Sequence, residues 1–218
     1  MKIAVFGTGT VGDTIGSRLI ELGHQVMMGS RTANNEKALA FVAKHKSGAS
    51  AGTFAEAATF GELIFNCTKG EASIDALRAA GNALDGKISV DVANPLDFSN
   101  GMPPSLIPSL SNTNSLGEEM QKTFPKTHVV KTLNTMWCGL MVNPNLIGGG
   151  DHINYICGND AGAKSKVIEL LKEFGWQEKN ILDLGDITNA RGTEAVLPIW
   201  LRVWGATKNG AFNFRLIS

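Results

Sequence analysis

Short apolar runs alternate along the chain with longer segments that are apolar on one face only. Ile3–Phe6 is a continuous apolar run that stops at a glycine, which is typical of a strand buried on both faces. Between Val11 and Leu22 apolar residues recur every three or four positions, which predicts an amphipathic helix. Gly23–His24 ends this helix, and Gln25–Gly29 is a second predicted strand.

The same alternation continues to the end of the chain. Helices are predicted at Ala38–Lys46, Ile74–Ala83, Leu116–Phe124 and Ala161–Phe174, strands at Leu63–Cys67, Ile88–Val92, His128–Leu133, Ile153–Cys157 and Ile181–Leu184, and a loop at Asn134–Asp151. Strands that alternate with helices indicate an α/β protein with a doubly wound, mainly parallel sheet and helices on both faces.

The last helical segment, from about Arg191 to Ala206, is apolar nearly all round and contains Pro198, which predicts a kink. A helix with so little polar surface must be covered. Either the rest of the fold covers it, with Trp200 stacked on Trp204, or a second subunit does. We expect one domain over residues 1–218, of which about 152–218 is a C-terminal extension packed on the rest.

A glycine motif lies between the first strand and the first helix. Gly7, Gly9 and Gly12 form the pattern Gly-x-Gly-x-x-Gly directly after the strand. In a dinucleotide-binding (Rossmann) fold these glycines give the tight turn, the close approach of backbone to pyrophosphate and close helix–strand packing. The free N–H groups at the helix start favour an anion there.

The residues after the second strand indicate which dinucleotide is bound. NAD enzymes place Asp or Glu there against the ribose, whereas this chain has Ser30 and Arg31. A hydroxyl, a planar guanidinium and the nearby Lys37 suit the 2′-phosphate of NADP(H). The alternative is that Arg31 is a solvated loop residue and Lys37 an ordinary lysine on a helix surface.

Composition narrows the class of protein further. The 218 residues include 20 basic and 20 acidic side chains, so charge gives no reason to expect a nucleic-acid or membrane partner. No apolar run is long enough to span a membrane, and the N-terminus does not resemble a signal peptide. Three scattered cysteines indicate reduced thiols in a cytoplasmic protein, and the scattered histidines predict no metal site.

Polar residues follow the predicted strands at the edge where open α/β sheets bind ligands. They are Cys67-Thr68-Lys69, Asn94-Pro95-Leu96 and Asn134-Thr135-Met136-Trp137. Pro95 keeps Asn94 out of helical geometry, which frees its amide for a ribose or carboxamide, unless this is an ordinary turn. Asn134 and Thr135 either bind substrate or satisfy loop backbone groups. Met136 and Trp137 either form a wall beside the nicotinamide or belong to the core.

No set of nucleophile, base and orienting residue is recognisable. Tyr155 is the single tyrosine, and Asn159 stands four residues later, so the Tyr-x-x-x-Lys pair of short-chain dehydrogenases is absent. We therefore expect bare hydride transfer between two aligned rings, which depends on positioning and exclusion of water. The Asn134–Trp137 loop and the C-terminal helix are expected to hold the planar acceptor against the nicotinamide. Reduction of an imine or carbonyl would need a proton donor, for which Thr135 and Lys69 are the nearby candidates.

Taken together, the motifs resemble those of the coenzyme F-420-dependent NADP oxidoreductases. The resemblance covers nearly the whole chain and is carried, in order, by Gly7-Thr8-Gly9, Gly23-His24, Gly29-Ser30-Arg31, Leu133-Asn134-Thr135, Cys157-Gly158-Asn159-Asp160, Leu182-Asp183-Leu184-Gly185 and Asn189-Ala190-Arg191. By this resemblance Thr8, Thr10, Val11, Ser30 and Arg31 contact NADP, Lys37 is a further phosphate partner, and Thr68 and Met136 line the nicotinamide.

The resemblance also implies a reaction: direct hydride exchange between nicotinamide and a deazaflavin, in a homodimer, without a dedicated catalytic acid. Two positions depart from the archaeal members, which have histidine at Asn134 and a Pro-Trp pair near Lys69-Gly70. The hydride acceptor could therefore instead be a flavin, a quinone or a small carbonyl compound. A non-catalytic sensor of NADP(H) is the competing class.

Overall fold

The computed structural model describes residues 1–217. The strands are β1 (Lys2–Phe6), β2 (Gln25–Ser30), β3 (Ala49–Thr53), β4 (Leu63–Asn66), β5 (Ile88–Asp91), β6 (Leu96–Asp97), β7 (Ser105–Leu106), β8 (His128–Thr132), β9 (Asn154–Gly158) and β10 (Ile181–Asp183). The helices are α1 (Thr10–Glu21), α2 (Glu36–His45), α3 (Phe54–Phe60), α4 (Gly70–Ala80), α5 (Leu116–Thr123), α6 (Cys138–Val142), α7 (Ala161–Glu173) and α8 (Ala190–Thr207).

Eight strands form one sheet in the order β3-β2-β1-β4-β5-β8-β9-β10. All neighbours are parallel except β8 and β9, so the expected doubly wound, mainly parallel sheet is confirmed. The chain moves outward in one direction through β1, β2 and β3 and in the other direction from β4. The crevice beside this reversal, at the carboxyl ends of the strands, is the usual ligand site of such sheets.

Strand β9 enters the sheet antiparallel to β8. A parallel entry requires the chain to return along the whole length of β8, usually through a helix. The segment between β8 and β9 instead contains α6, with five residues, and short 3-10 turns. Helix α6 advances the chain by only about 7 Å, and the chain re-enters the sheet at the end where it left β8.

Six elements differ from the sequence prediction. Strands β3, β6 and β7 and helix α3 were not predicted, and α6 lies within the predicted loop at 134–151. Helix α4 begins at Gly70, four residues before the predicted start, and continues into a 3-10 turn at Gly81–Leu84. The sequence of β3, Ala-Ser-Ala-Gly-Thr, contains no large apolar residue, so its strand conformation depends on pairing with β2.

The core forms two apolar layers, one on each face of the sheet. One layer joins the sheet to α1, α2 and α7, with Phe41, Phe174 and Trp176 among its largest members. The other joins it to α3, α4 and α5, around Phe54 and Leu77. None of the helices among residues 1–217 combines the length and hydrophobicity needed to cross a bilayer.

Helix α8 is buried mainly over its first half. Its buried residues are Ala190, Thr193, Glu194 and Leu197, whereas Ile199 and Trp204 are 50% and 40% exposed. The helix runs through Pro198, and the predicted stacking of Trp200 on Trp204 is confirmed, with ring centroids 6.4 Å apart and planes inclined by 14°. The segment after the helix covers Trp200 in part, through Phe212 at 5.2 Å. The chain by itself therefore leaves part of the second half of this apolar helix open.

Candidate functional site

The loop from β1 to α1 has a backbone that only glycine fits. Gly7 has φ +105°, and a Cβ there would lie 2.6 Å from the Cys67 carbonyl oxygen. A Cβ on Gly12 would lie 1.9 Å from the Gly7 carbonyl oxygen. Helix α1 begins after Gly9 without a side-chain cap, so its first N–H groups face open space. This loop therefore offers backbone donors to an anion.

A long cleft of about 820 Å³ runs along the carboxyl edge of the sheet from this loop; we call it the outer cleft. Its lining residues are Gly7, Thr8, Gly9, Ser30, Arg31, Asn35, Lys37, Thr53, Phe54, Ala55, Cys67, Thr68, Lys69, Glu71, Ala72, Asp75, Ala76 and Ala79. The glycine loop and the end of β2 thus share one cleft, as the sequence predicted.

Positive charge is concentrated at the β2 end of the outer cleft. Arg31 and Lys37 are both exposed, and Arg31 makes no hydrogen bond or ion pair with any other residue in the range 1–217. The Ser30 hydroxyl is engaged differently, because it donates to the Thr32 carbonyl oxygen at 2.6 Å. Arg31 and Lys37 are therefore both free donors at this end, because Lys37 also makes no such bond with residues 1–217. The acidic residues of the cleft, Glu71 and Asp75, belong to α4 instead.

A second, smaller space of about 280 Å³ adjoins the outer cleft; we call it the inner cavity. Its lining residues are Val11, Cys67, Thr68, Lys69, Gly70, Glu71, Val92, Ala93, Asn94, Leu96, Phe98, Asn134, Met136, Met141 and Leu197. Cys67, Thr68, Lys69 and Glu71 line both spaces. The segments that follow β4, β5 and β8 are brought together here, together with one residue of α8.

The β4 and β5 ends meet through close packing and hydrogen bonds. A Cβ on Gly70 would lie 2.1 Å from the Asn94 carbonyl oxygen, so α4 begins directly against the Asn94-Pro95 turn. The Asn94 amide nitrogen donates to the Asn134 carbonyl oxygen at 2.8 Å. In return, the Asn134 amide nitrogen donates to Asn94 Oδ1 at 2.9 Å. These contacts fix the polar end of the inner cavity.

A buried charge cluster lies directly behind the inner cavity. Lys131 Nζ is 2.7 Å from Asp91 Oδ2 and 2.8 Å from Glu194 Oε1, and all three side chains are almost fully buried. Burial by itself lowers the pKa of Lys131, but the two carboxylates outweigh it and raise that pKa. Burial raises the pKa of Glu194, against the attraction of Lys131.

This cluster connects the walls of the site. Asp91 Oδ1 accepts from the Asn66 amide nitrogen at 2.9 Å, and the Thr68 hydroxyl donates to Asn66 Oδ1 at 2.7 Å. Glu194 accepts from the backbone N–H groups of Leu116 and Gly117 at the start of α5. The cluster therefore links the carboxyl ends of β4 and β5 to α8.

The thiols near the site are not nucleophiles. Burial raises the pKa of Cys67 well above its usual range and raises that of Cys157 to about 12. Because both pKa values are raised, both side chains are neutral thiols near neutral pH. Only the thiolate form of cysteine is nucleophilic. Cys67, where the outer cleft and inner cavity adjoin, thus offers a soft apolar surface.

Some residues singled out in the sequence lie outside both spaces. Thr10 is exposed at the start of α1, Gly12 is buried beneath the glycine loop, and Pro95 and Thr135 are buried in the turns. Trp137 is 41% exposed and lines a separate cleft of about 440 Å³ with residues of α8 and the following tail.

Other residues of the site were missed in the sequence. They include Asn35, Thr53 and Phe54 in the outer cleft and Phe98, Met141 and Leu197 in the inner cavity. Thr53 could have been found, because Thr53-x-x-Glu56 is a capping box that announces α3, and both of its hydrogen bonds are present. Leu197 carries no such signal, because helix packing alone brings it to the cavity.

Comparison with known proteins gives consistent results. The family model described as NADP oxidoreductase, coenzyme F420-dependent, matches residues 2–95. A crystal structure from Arthrobacter sp. FB24, of a protein described as a candidate F420-dependent NADP-reductase, is 50% identical, covers 100% of both chains and has a TM-score of 0.94.

Two further proteins are similar to the chain at lower sequence identity. Metalloreductase STEAP3 from Rattus norvegicus is 30% identical over 209 residues, which are 91% of this chain; the chain spans 38% of that protein's length. A reductive aminase from Aspergillus terreus, solved with NADPH and ethyl levulinate, is 18% identical with a TM-score of 0.65, covers 95% and 62% of the two chains, and shows the shared fold alone. On the identity along its full length, the chain belongs to the coenzyme F420-dependent NADP oxidoreductase family, a family of NADP-dependent oxidoreductases.

Proposed function

We propose that this NADP(H)-dependent oxidoreductase transfers a hydride between the nicotinamide and a planar acceptor held in the inner cavity. The proposal rests on one observation: the outer cleft and the inner cavity adjoin each other at Cys67 and Thr68, which line both. The outer cleft has a volume of about 820 Å³ and the positive charges of Arg31 and Lys37, which suit a dinucleotide with an additional phosphate. The inner cavity is small and mostly apolar, which suits one ring held against another.

In this proposal the outer cleft holds the adenosine and pyrophosphate of the cofactor. The backbone N–H groups from Thr8 to Val11 would face the pyrophosphate, with Gly12 buried beneath them. Arg31 binds the 2′-phosphate as a planar, permanently charged donor, and Lys37 adds a second positive charge. The Ser30 hydroxyl contributes once it leaves the Thr32 carbonyl.

The nicotinamide end of the cofactor would lie between Thr68, Asn94 and Met136, where the outer cleft leads into the inner cavity. When bound, NADPH supplies the hydride. The chain's own residues orient the two rings and keep water away, because Met136, Met141 and Leu197 close the cavity with apolar side chains. An acceptor that spreads the arriving electron pair over its own rings needs no acid at the reacting carbon.

The acceptor class is proposed from family membership. The 50% identical relative is described as F420-dependent, which favours a deazaflavin such as coenzyme F-420. A flavin, a quinone or a small carbonyl compound is the alternative, and a carbonyl would need a proton from a residue such as Lys69 at the mouth of the cavity. Thr135 is a poor donor for this step, because it is buried outside the cavity.

We further propose that two chains form a homodimer through the open part of α8, including Ile199 and Trp204. An exposed apolar helix face next to a binding cavity is typical of a subunit interface. The three free cysteines fit a reducing compartment such as the cytoplasm.

The proposed reaction is tested by steady-state oxidation of NADPH with a panel of acceptors: a deazaflavin, FMN, a benzoquinone and an aldehyde. We expect turnover with the deazaflavin or FMN and much less with the aldehyde. Tight NADPH binding without turnover for any acceptor would contradict the proposal and favour the non-catalytic sensor. Preference for NADH over NADPH would contradict the placement of the 2′-phosphate.

A further inference from the structure

One polar atom of the inner cavity lacks a partner. Asn134 is 1% exposed and lines the cavity, yet its Oδ1 makes no hydrogen bond with any residue in the range 1–217. Buried carbonyl oxygens in folded proteins are nearly always paired, because an unpaired one loses its bond to water without replacement. An orphan acceptor in a binding cavity therefore points to a donor on a ligand.

The identity of this atom as oxygen is fixed by its surroundings. The Asn94 amide nitrogen must face the Asn134 main-chain oxygen, because a carbonyl can only accept, so Asn94 Oδ1 faces the Asn134 side chain. Only the NH₂ group of Asn134 can donate to that oxygen. The remaining atom of the Asn134 amide, which has no partner, is therefore Oδ1, a pure acceptor.

The backbone conformation of Leu133, directly before Asn134, supports a functional role for the Asn134 side chain. Leu133 is buried and has φ +62°, a conformation that non-glycine residues rarely adopt. Its N–H is held by Asn154 Oδ1 at 3.2 Å, which stabilises the turn. Such strain is commonly found where a structure must aim a side chain at a ligand.

Building on the proposed function, we propose that Asn134 Oδ1 selects a ligand with an N–H donor beside its reacting ring. Two ligand groups offer that chemistry: the carboxamide of the nicotinamide, and a ring N–H of the acceptor, as in the imide of flavins and deazaflavins. Quinones and ketones have no such donor. If the acceptor supplies the donor, Asn134 excludes them by leaving its own oxygen unpaired.

The experiment compares pairs of ligands that differ in this donor alone. For the cofactor, NADP⁺ itself keeps the carboxamide NH₂ group, whereas 3-acetylpyridine-NADP⁺ has a methyl group in its place. For the acceptor, lumiflavin keeps its ring N–H, whereas 3-methyllumiflavin does not, and both are added to NADP⁺-saturated protein. Dissociation constants are measured by fluorescence for the wild type, Asn134→Leu and Asn134→Asp.

The readout is the ratio of the two constants within each pair, since general damage to the fold weakens both ligands equally. The wild type is expected to favour the N–H ligand of one pair by about 5- to 100-fold, the effect of one unpaired buried acceptor. Asn134→Leu should bring that ratio close to one, whereas Asn134→Asp, which keeps an acceptor, should preserve it. The pair of ligands whose ratio changes in Asn134→Leu shows whether the cofactor or the acceptor supplies the N–H donor.

Equal ratios in the wild type and Asn134→Leu for both pairs would overturn the inference. This outcome is separate from failure of the proposed reaction. Binding is measured without turnover, so a protein that oxidises no NADPH would still give a clear answer for the cofactor pair.

Discussion

At the scale of single residues, Arg31 carries the proposed choice between the two nicotinamide dinucleotides. Its guanidinium is exposed in the outer cleft and pairs with no residue in the range 1–217. We expect Arg31→Ala to weaken NADPH binding by about 1–3 kcal/mol, the contribution of a charged hydrogen bond, and to leave NADH binding almost unchanged. Isothermal titration with both nucleotides measures this difference.

The matched control for Arg31 is Lys166→Ala, which removes one exposed positive charge from α7, away from the cleft. It should leave both affinities unchanged. If Arg31→Ala weakened the binding of NADPH and NADH equally, the guanidinium would not be binding the 2′-phosphate.

Gly12 tests the glycine loop by a different mechanism. A methyl group there would meet the Gly7 carbonyl oxygen at 1.9 Å, so the loop or α1 must move. We expect Gly12→Ala to destabilise the protein by about 1–3 kcal/mol, as overpacking does, and to weaken NADPH and NADH alike. Gly9→Ala is the control for stability, because its Cβ would meet nothing within 4 Å. Equal thermal stability of the two variants would contradict the close packing.

At the scale of elements, the charge cluster behind the inner cavity joins β5, β8 and α8. Replacing Lys131 by Met would leave Asp91 and Glu194 buried without their cation. Loss of one member of such a buried set typically destabilises a protein by about 3–5 kcal/mol. Urea unfolding should show this loss, and adding Glu194→Gln to Lys131→Met should recover part of it. Unchanged stability of Lys131→Met would show that the cluster does not hold these elements together.

The contact between α5 and α8 should depend on pH. Arg191 forms a two-pronged pair with Glu118, at 2.8 and 2.5 Å, and this pair lowers the pKa of Glu118 from its ordinary value of 4.5. A lowered folded-state pKa adds stability above the ordinary value, and this stability is lost as pH falls through the lowered one.

We therefore expect Glu118→Gln to be less stable than the wild type at pH 7, by about 0.5–1 kcal/mol because the pair is partly exposed. The difference should shrink as the pH falls below 4.5. Denaturant unfolding at a series of pH values measures it. A difference that stays constant down to pH 3 would show that the ion pair is not its cause.

Prediction from the sequence succeeded for elements whose own side chains carry the signal. Helix α1 and strand β1 have a clear apolar period or run, and their bounds match closely. Strand β3 has no large apolar residue and α6 has only five residues, so neither is distinguishable from a loop by periodicity. Their conformations are imposed by β2 and by α1, against which they pack.

At the scale of the whole molecule, the open part of α8 has a consequence for assembly. If a second chain covers it, Ile199→Glu together with Trp204→Glu should convert a dimer into a monomer, because two charges would be buried at the interface. Light scattering coupled to size exclusion measures the mass of each form. A wild type that is monomeric at high micromolar concentration would contradict the proposed homodimer. Glu173→Gln, at an exposed site on α7, is the control.

The sequence by itself determined the α/β architecture, the glycine loop and the basic residues after β2, because each depends on neighbours in the chain. A buried strand, a left-handed glycine and a charge beyond a strand end are local properties. Tertiary structure alone decided that Leu197 is the residue of α8 that reaches the inner cavity, that Trp137 does not reach it, and that Asn94 takes the Asn134 amide group and leaves its oxygen unpaired. Those outcomes depend on packing between segments far apart in the chain, which no local pattern of residues encodes.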